Sequence, residues 1–171
     1  MEDGGLSIKG DLVKSNPFQA DKCGRKSCMV CPNTKEQGRC WADNTTYKIK
    51  CNRWPCTGEE VATPIYVGET SRTPYTRGAE HQAAYRNHSQ ASFQWRHCVA
   101  AHNGVLGLNK GEEDFKMEEI VSFKKSLTRV LEEAVLIQEA EMDKDTNCLN
   151  SKEEYYGAQC IRPLFFQGLS E

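Results

Sequence analysis

Six cysteines within 34 residues, two histidines five apart and an Arg–His pair four apart are the groups whose types and spacing could do chemistry here. Cys23-x4-Cys28-x2-Cys31-x8-Cys40 offers four thiolates in a polar stretch, CGRKSCMVCPNTKEQGRC, too poor in apolar residues to fold by burial alone. A tetrahedral thiolate cage satisfies Zn²⁺, and its binding energy substitutes for a missing core. Four cysteines close the coordination shell, so the expected role is support rather than catalysis. A second pair, Cys51 and Cys56, needs two more ligands. His97-x4-His102 lies in the spacing range of paired zinc histidines. Cys98 competes with His97, since Cys98 and His102 are four apart and share a helix face. Cys148 and Cys160 are expected to be buried or free thiols.

The elements that must position these groups are legible in the pattern. TTYKIKC (45–51) alternates and is rich in β-formers, and PIYVGET (64–70) reads as a second strand, the two forming a hairpin. Thr73 followed by Pro74 marks a helix start, predicted to run to about Asn87. On it Arg77, His81, Ala84 and His88 fall within one narrow arc. SFQWRHCVAAH (92–102) reads as a helix ended by Asn103-Gly104, and FKMEEIVSF (115–123) as a third strand. KSLTRVLEEAVLIQEAE (125–141) is the clearest helix, with an apolar stripe of Leu127, Val130, Leu131, Ala134 and Ile137. On that wheel Glu133 lies at the edge of the buried face and Glu132 points to solvent. The expected fold is α/β: a small three-stranded antiparallel sheet flanked by helices over 45–171, preceded by a cysteine-rich zinc-binding segment over 1–44.

Composition narrows the class. At 171 residues with 38% hydrophobic and 27% charged residues, the chain suits one moderate globular domain with a small appendage. No apolar run approaches the ~18 residues of a spanning helix, so no membrane partner is expected. The start, MEDGGLSIKG, lacks the basic and apolar regions of a signal peptide, and the odd cysteine count argues against a disulfide framework. A reducing, intracellular compartment is expected. Charge is uneven: residues 1–56 carry ten Lys/Arg against six Asp/Glu, whereas residues 111–171 carry seven against fourteen. Nucleic acid would prefer the first part.

Tyr47 in TTYKI, then Tyr66-Val67-Gly68, then Arg77 and His81 together resemble the GIY-YIG nuclease superfamily. YVGETSR…R…EH, with a cysteine pair between the two tyrosine motifs, is more narrowly similar to the endonuclease domain of Penelope-like retroelements. The resemblance covers roughly residues 45–150. It departs at the first motif, which reads Thr45-Thr46-Tyr47 rather than Gly-Ile-Tyr. It implies a CCHH zinc site, favouring His97 and His102 over Cys98, and a late glutamate four residues before an isoleucine, matched by Glu133 and Ile137. Phosphodiester hydrolysis must deprotonate water, neutralise the phosphate and stabilise the leaving oxygen. Glu133 is assigned to a hard divalent cation, Mg²⁺ or Mn²⁺, and Arg77 to the phosphate, where a guanidinium presents fixed paired donors. The family implies Tyr47 as general base, with a pKa lowered by cationic neighbours, and Tyr66 as its hydrogen-bonded neighbour. His81 would relay a proton or orient water, and Asn150 resembles a supporting asparagine. The resemblance also implies DNA as substrate, nicking that primes a linked reverse transcriptase, and a nuclear location. The alternative is a non-catalytic zinc module that binds nucleic acid or protein through the basic N-terminal part.

Overall fold

The computed structural model of the protein describes residues 25, 28–31, 40–58, 61–111 and 113–150. Alternating β-branched and aromatic residues make β1 (Thr45–Cys51) and β2 (Thr63–Thr70), which pair antiparallel with Tyr47 opposite Gly68 and Ile49 opposite Tyr66. β3 (Phe115–Ser122) pairs antiparallel with the other edge of β1, its register shifting between Thr46 and Tyr47. Such an irregularity beside a candidate site re-aims side chains.

The sheet is not the three-stranded antiparallel one expected. A fourth strand, β4 (Thr146–Cys148), lies parallel to β2 and gives the order β3-β1-β2-β4 among the described residues. Three residues are too few to show a period, so the sequence pattern is silent there. Asp143 builds this return: its carboxylate accepts from the Asp145 N–H at 3.0 Å and the Thr146 hydroxyl at 2.8 Å.

Helix α1 (Pro74–Arg86) opens where expected, the Thr73 hydroxyl accepting from the Thr76 N–H at 3.2 Å with Pro74 in the first turn. α2 (Phe93–His102) is capped by Ser92 and ends in the left-handed Asn103. A one-turn helix, α3 (Leu108–Gly111), leads into β3. α4 (Ser126–Met142) is the long helix. No helix among the described residues is long and apolar enough to cross a membrane.

The two faces of the sheet are covered differently. Ile65 and Val67 pack against Leu136, Ile137 and Ala140 of α4. Tyr47, Ile49 and Tyr66 face the opposite cluster, with Tyr85, Phe93, Phe115, Met117 and six buried cysteines. α4 also corrects the expected stripe. Arg129, Leu136, Ile137 and Ala140 are buried, while Leu127 is 53% exposed. At about 100° per residue the buried face is rotated by roughly 120° from that prediction. The reason is a polar anchor that a hydrophobic pattern does not register: Arg129, 5% exposed, ion-pairs with Glu69 on β2 and donates to the Asn44 side chain at 2.6 Å. Glu133 therefore sits near the middle of the inward face rather than at its edge. Glu132, expected to face solvent, is half-buried.

Candidate active site and metal centres

β1 delivers Tyr47 to the α1 side of the sheet, where its ring lies across Gly68. A Cβ on that glycine would stand 2.5 Å from the Tyr47 hydroxyl, so the glycine of the YVG motif is the space the tyrosine occupies. One turn apart on α1, Arg77 and His81 both reach that hydroxyl. Arg77 Nε donates to it at 3.2 Å, and His81 Nε2 lies 2.9 Å from it. Glu80 accepts from Arg77 at 3.1 Å and from Arg72 at 2.9 Å, fixing the guanidinium. Tyr66 closes the group, its ring edge-on to His81 at 5.7 Å and stacked on Phe93 of α2 at 3.9 Å and 4°. An open cleft of about 300 Å³ is lined by Tyr66, Arg77, His81, Phe93 and Arg96.

Electrostatics partly follow and partly correct the expectation. Burial, reinforced by the Arg77 charge, lowers His81 to about 3, so its ring stays neutral and is a weak base that takes part in the site as a hydrogen-bonding partner. Burial also pushes Tyr47 up to about 12, against the lowered value expected. Arg77 pulls the phenol down, but the charges of Glu133 and Glu69 raise it further. Tyr47 is fully buried and reaches the cleft only through Arg77 and His81.

The structure brings Tyr47, Tyr66, Arg77 and His81 together. The Glu133 charge reaches the Tyr47 phenol, but Glu133 stands on α4, which packs on the other face of the sheet, and it does not line the cleft. Asn150 does not enter the cleft. Its side-chain amide accepts from the Val67 N–H at 2.9 Å and donates to the Val67 carbonyl at 2.7 Å, continuing the β4 ladder beside Tyr66. His88 is not on the Arg77 arc, because α1 ends at Arg86; His88 takes a positive φ of 55° and stacks on Trp95 at 4.1 Å. Arg129, buried, and its half-buried partner Glu69 were missed by sequence reasoning. The available signal was the placement of Arg129 four residues before Glu133, on one helix face.

Cys51, Cys56, His97 and His102 form a buried tetrad whose ligand atoms all lie within 4.8 Å of one another. Cys51 Sγ is 3.3 Å from His102 Nε2, and Cys56 Sγ is 3.4 Å from His97 Nε2. Tetrahedral zinc with its usual bond lengths requires sulfur–nitrogen edges of about 3.5 Å, so this donor set fits that ion. Burial, with the neighbouring His102, holds His97 at about 4, in the neutral form a metal needs. Cys98 is not a ligand; its thiol faces the Val105 carbonyl at 3.4 Å. His97 and His102 are about 140° apart on an ideal wheel, and they converge on the metal position from either side of the helix end.

Cys28, Cys31 and Cys40 form a second buried group within the same span, with Cys31 Sγ 3.4 Å from Cys40 Sγ. Cys23 and Cys160 lie outside the described residues. Cys148 is half-buried and outside any disulfide, packed beside α4 with its thiol 3.6 Å from the Asn150 side-chain oxygen.

No protein-family model, curated protein or solved structure matches the chain. The functional reading therefore rests on the site itself.

Proposed function

We propose that the protein is a metal-dependent DNA endonuclease of the GIY-YIG type, nicking one strand to leave a 3′-hydroxyl that a linked reverse transcriptase extends in the nucleus. The observation that carries this reading is the Tyr47 hydroxyl, held between Arg77 Nε at 3.2 Å and His81 Nε2 at 2.9 Å under an open cleft. The Tyr47 oxygen, from β1, is shared by two residues one turn apart on α1, 30 and 34 positions down the chain, an arrangement that packing alone does not call for.

Each group has a task in phosphodiester hydrolysis. Arg77 presents its guanidinium to the scissile phosphate, with Glu80 fixing its orientation. For Tyr47 to serve as general base, the charges of Arg77 and a bound cation would have to offset the burial that raises its phenol to about 12; the neutral His81 ring, 2.9 Å away, shares its hydrogen bond. Glu133 supplies the carboxylate for a hard divalent cation, which when bound would neutralise phosphate charge and stabilise the leaving oxygen. The Cys51–Cys56–His97–His102 centre, filled by zinc, would hold α2 so that Phe93 stays stacked under Tyr66.

Supercoiled plasmid with Mg²⁺ tests this directly. The expected result is conversion to the nicked circle, falling by about 10²-fold or more in Arg77→Ala, Glu133→Gln and Tyr47→Phe. Equal cleavage by wild type and Glu133→Gln would sink the proposal. A second reading, a non-catalytic zinc module binding nucleic acid or protein, draws on the complete burial of Tyr47 and its raised phenol. It predicts DNA or protein binding without cleavage at any Mg²⁺ or Mn²⁺ concentration, unchanged by Tyr47→Phe.

A further inference from the structure

The three-cysteine group does not hang off the domain as an appendage. We propose that Cys28, Cys31 and Cys40 hold a zinc-class ion, and that this centre clamps α1 to β3 and thereby places Arg77 on Tyr47. The assignment of Arg77 as a catalytic group rests on the function proposed above; the metal centre and its grip on α1 do not.

The chemistry begins with burial. The three residues are 3%, 4% and 0% exposed, yet no disulfide joins them. The Cys31 backbone N–H points at Cys28 Sγ at 3.4 Å, the kind of donor that supports a metal-bound thiolate. Three close, buried thiols suit a soft ion that takes up thiolates. The sequence assigns a fourth sulfur to Cys23, outside the described residues.

The coupling follows from what this segment touches. The Cys40 carbonyl accepts from the N–H of Tyr75 in the first turn of α1, at 3.0 Å. Met29 accepts through its carbonyl from the Met117 N–H on the edge of β3, at 3.1 Å. Beneath the helix, Met29 and Met117 occupy the place that a side chain at Gly78 would need, 3.5 and 3.3 Å from where its Cβ would lie. Outside it, Trp41 stacks on Tyr75 with centroids 5.5 Å apart, and the Arg25 guanidinium lies over both rings at 4.4 and 4.3 Å. Arg77 is two residues beyond Tyr75. α1 buries only Pro74, Gly78, Gln82 and Tyr85, too little apolar surface to fix its position by packing. The metal-held segment supplies the missing hold.

The test uses the full chain, with zinc counted by atomic emission and local opening followed by hydrogen exchange. Wild type is expected to carry two zinc ions and Cys31→Ser one. In Cys31→Ser, exchange should rise about tenfold or more over residues 74–86 and 115–122, while residues 93–102 change less than about twofold. Trp41→Ala keeps all the thiols, so it should retain both ions and still raise exchange over 74–78. Cys31→Ser keeping two ions would overturn the proposal. So would loss of one ion with exchange over α1 unchanged, or a uniform rise across the whole chain. Plasmid cleavage, measured separately, should fall in both variants. If wild type also fails to cut, the nuclease reading is lost while the zinc and exchange results still judge the clamp.

Discussion

The two faces of the sheet are held by different physics. On one, α4 packs Leu136, Ile137 and Ala140 onto Ile65 and Val67, an ordinary apolar layer. On the other, α1 and α2 bury Gln82, Gln94, His97 and His102 as well as apolar groups, and cysteines fill much of the space beneath them. The first face is stabilised by apolar area removed from water. The second buries apolar groups as well, Met29, Val30, Ile49, Phe93, Phe115 and Met117 among them, but interleaves them with polar side chains and thiols, so it also depends on ligand geometry, stacking and hydrogen bonds. The candidate site sits on the second face: a cleft lined by Tyr66, Arg77, His81 and Arg96 cannot also be an apolar core. Metal ions at the two cysteine groups would let the polar helices above them stay put.

Removing a metal ligand should therefore give the largest effect. Cys56→Ser breaks the tetrad that joins the β1–β2 connection to α2. Structural zinc contributes on the order of 10 kcal/mol in small metal-dependent domains, so this variant should lose the tertiary near-UV signal of Trp95 and its neighbours. Helical signal from α4 should persist better than that of α2 under hydrogen exchange. An intact α2 in Cys56→Ser would erase the contrast between the faces. Next comes Arg129→Ala, which strands Glu69 beside the site; breaking a buried pair costs about 3–5 kcal/mol. Urea denaturation measures it, and Arg129→Met, restoring bulk without charge, should recover little because Glu69 stays unpaired.

How much of this was readable beforehand divides along the same line. Strands β1 to β3 and the helix starts at Thr73 and Ser92 followed from alternation and capping, which are local. The meeting of Tyr47, Tyr66, Arg77 and His81 came from motif order, and the tetrad from spacing sharpened by resemblance. Three things were hidden. β4 is too short to carry a pattern, and its parallel pairing depends on where α4 ends. The rotation of α4 depends on Arg129 finding Glu69, a contact 60 residues away in the chain. The raised Tyr47 phenol depends on burial, which no spacing reports.

The corrected rotation has its own consequence. Ile137, 1% exposed, should cost about 2–5 kcal/mol on truncation to alanine, whereas Leu127→Ala should stay within about 0.5 kcal/mol. The stripe read from sequence puts both residues on the buried side, so equal losses in urea titrations would restore it. The polar face answers to pH instead. His81 is held at about 3 in the folded protein, below the 6.5 of a free imidazole. The unfolded chain binds the proton more readily, so stability is fully present above pH 6.5 and falls as pH drops toward 3. Between pH 6.5 and 5 wild type should lose about 1.5 kcal/mol relative to His81→Gln, which cannot titrate. A difference that stays flat with pH would mean the ring is not buried in its neutral form.

The smallest expected effect comes from an ion pair that resembles Arg129–Glu69 on paper. Lys50 on β1 and Glu118 on β3 approach to 3.0 Å across the sheet, and their side chains are 36% and 41% exposed. Arg129 is nearly closed off from water, its side chain 6% exposed, so its charge has only its partners to answer it. The exposed pair keeps its hydration and is screened by salt, so it contributes about 0.2–1 kcal/mol at most. Lys50→Gln should move the urea midpoint little, and raising the salt to about 0.5 M should erase even that difference. Arg129→Ala should remain the costlier change at the same salt, because it empties a position only 6% exposed and leaves both Glu69 and the Asn44 side chain without their donor. Equal salt sensitivity in the two variants would show that the α4 anchor is a surface contact, and the difference between the two charges would vanish with it.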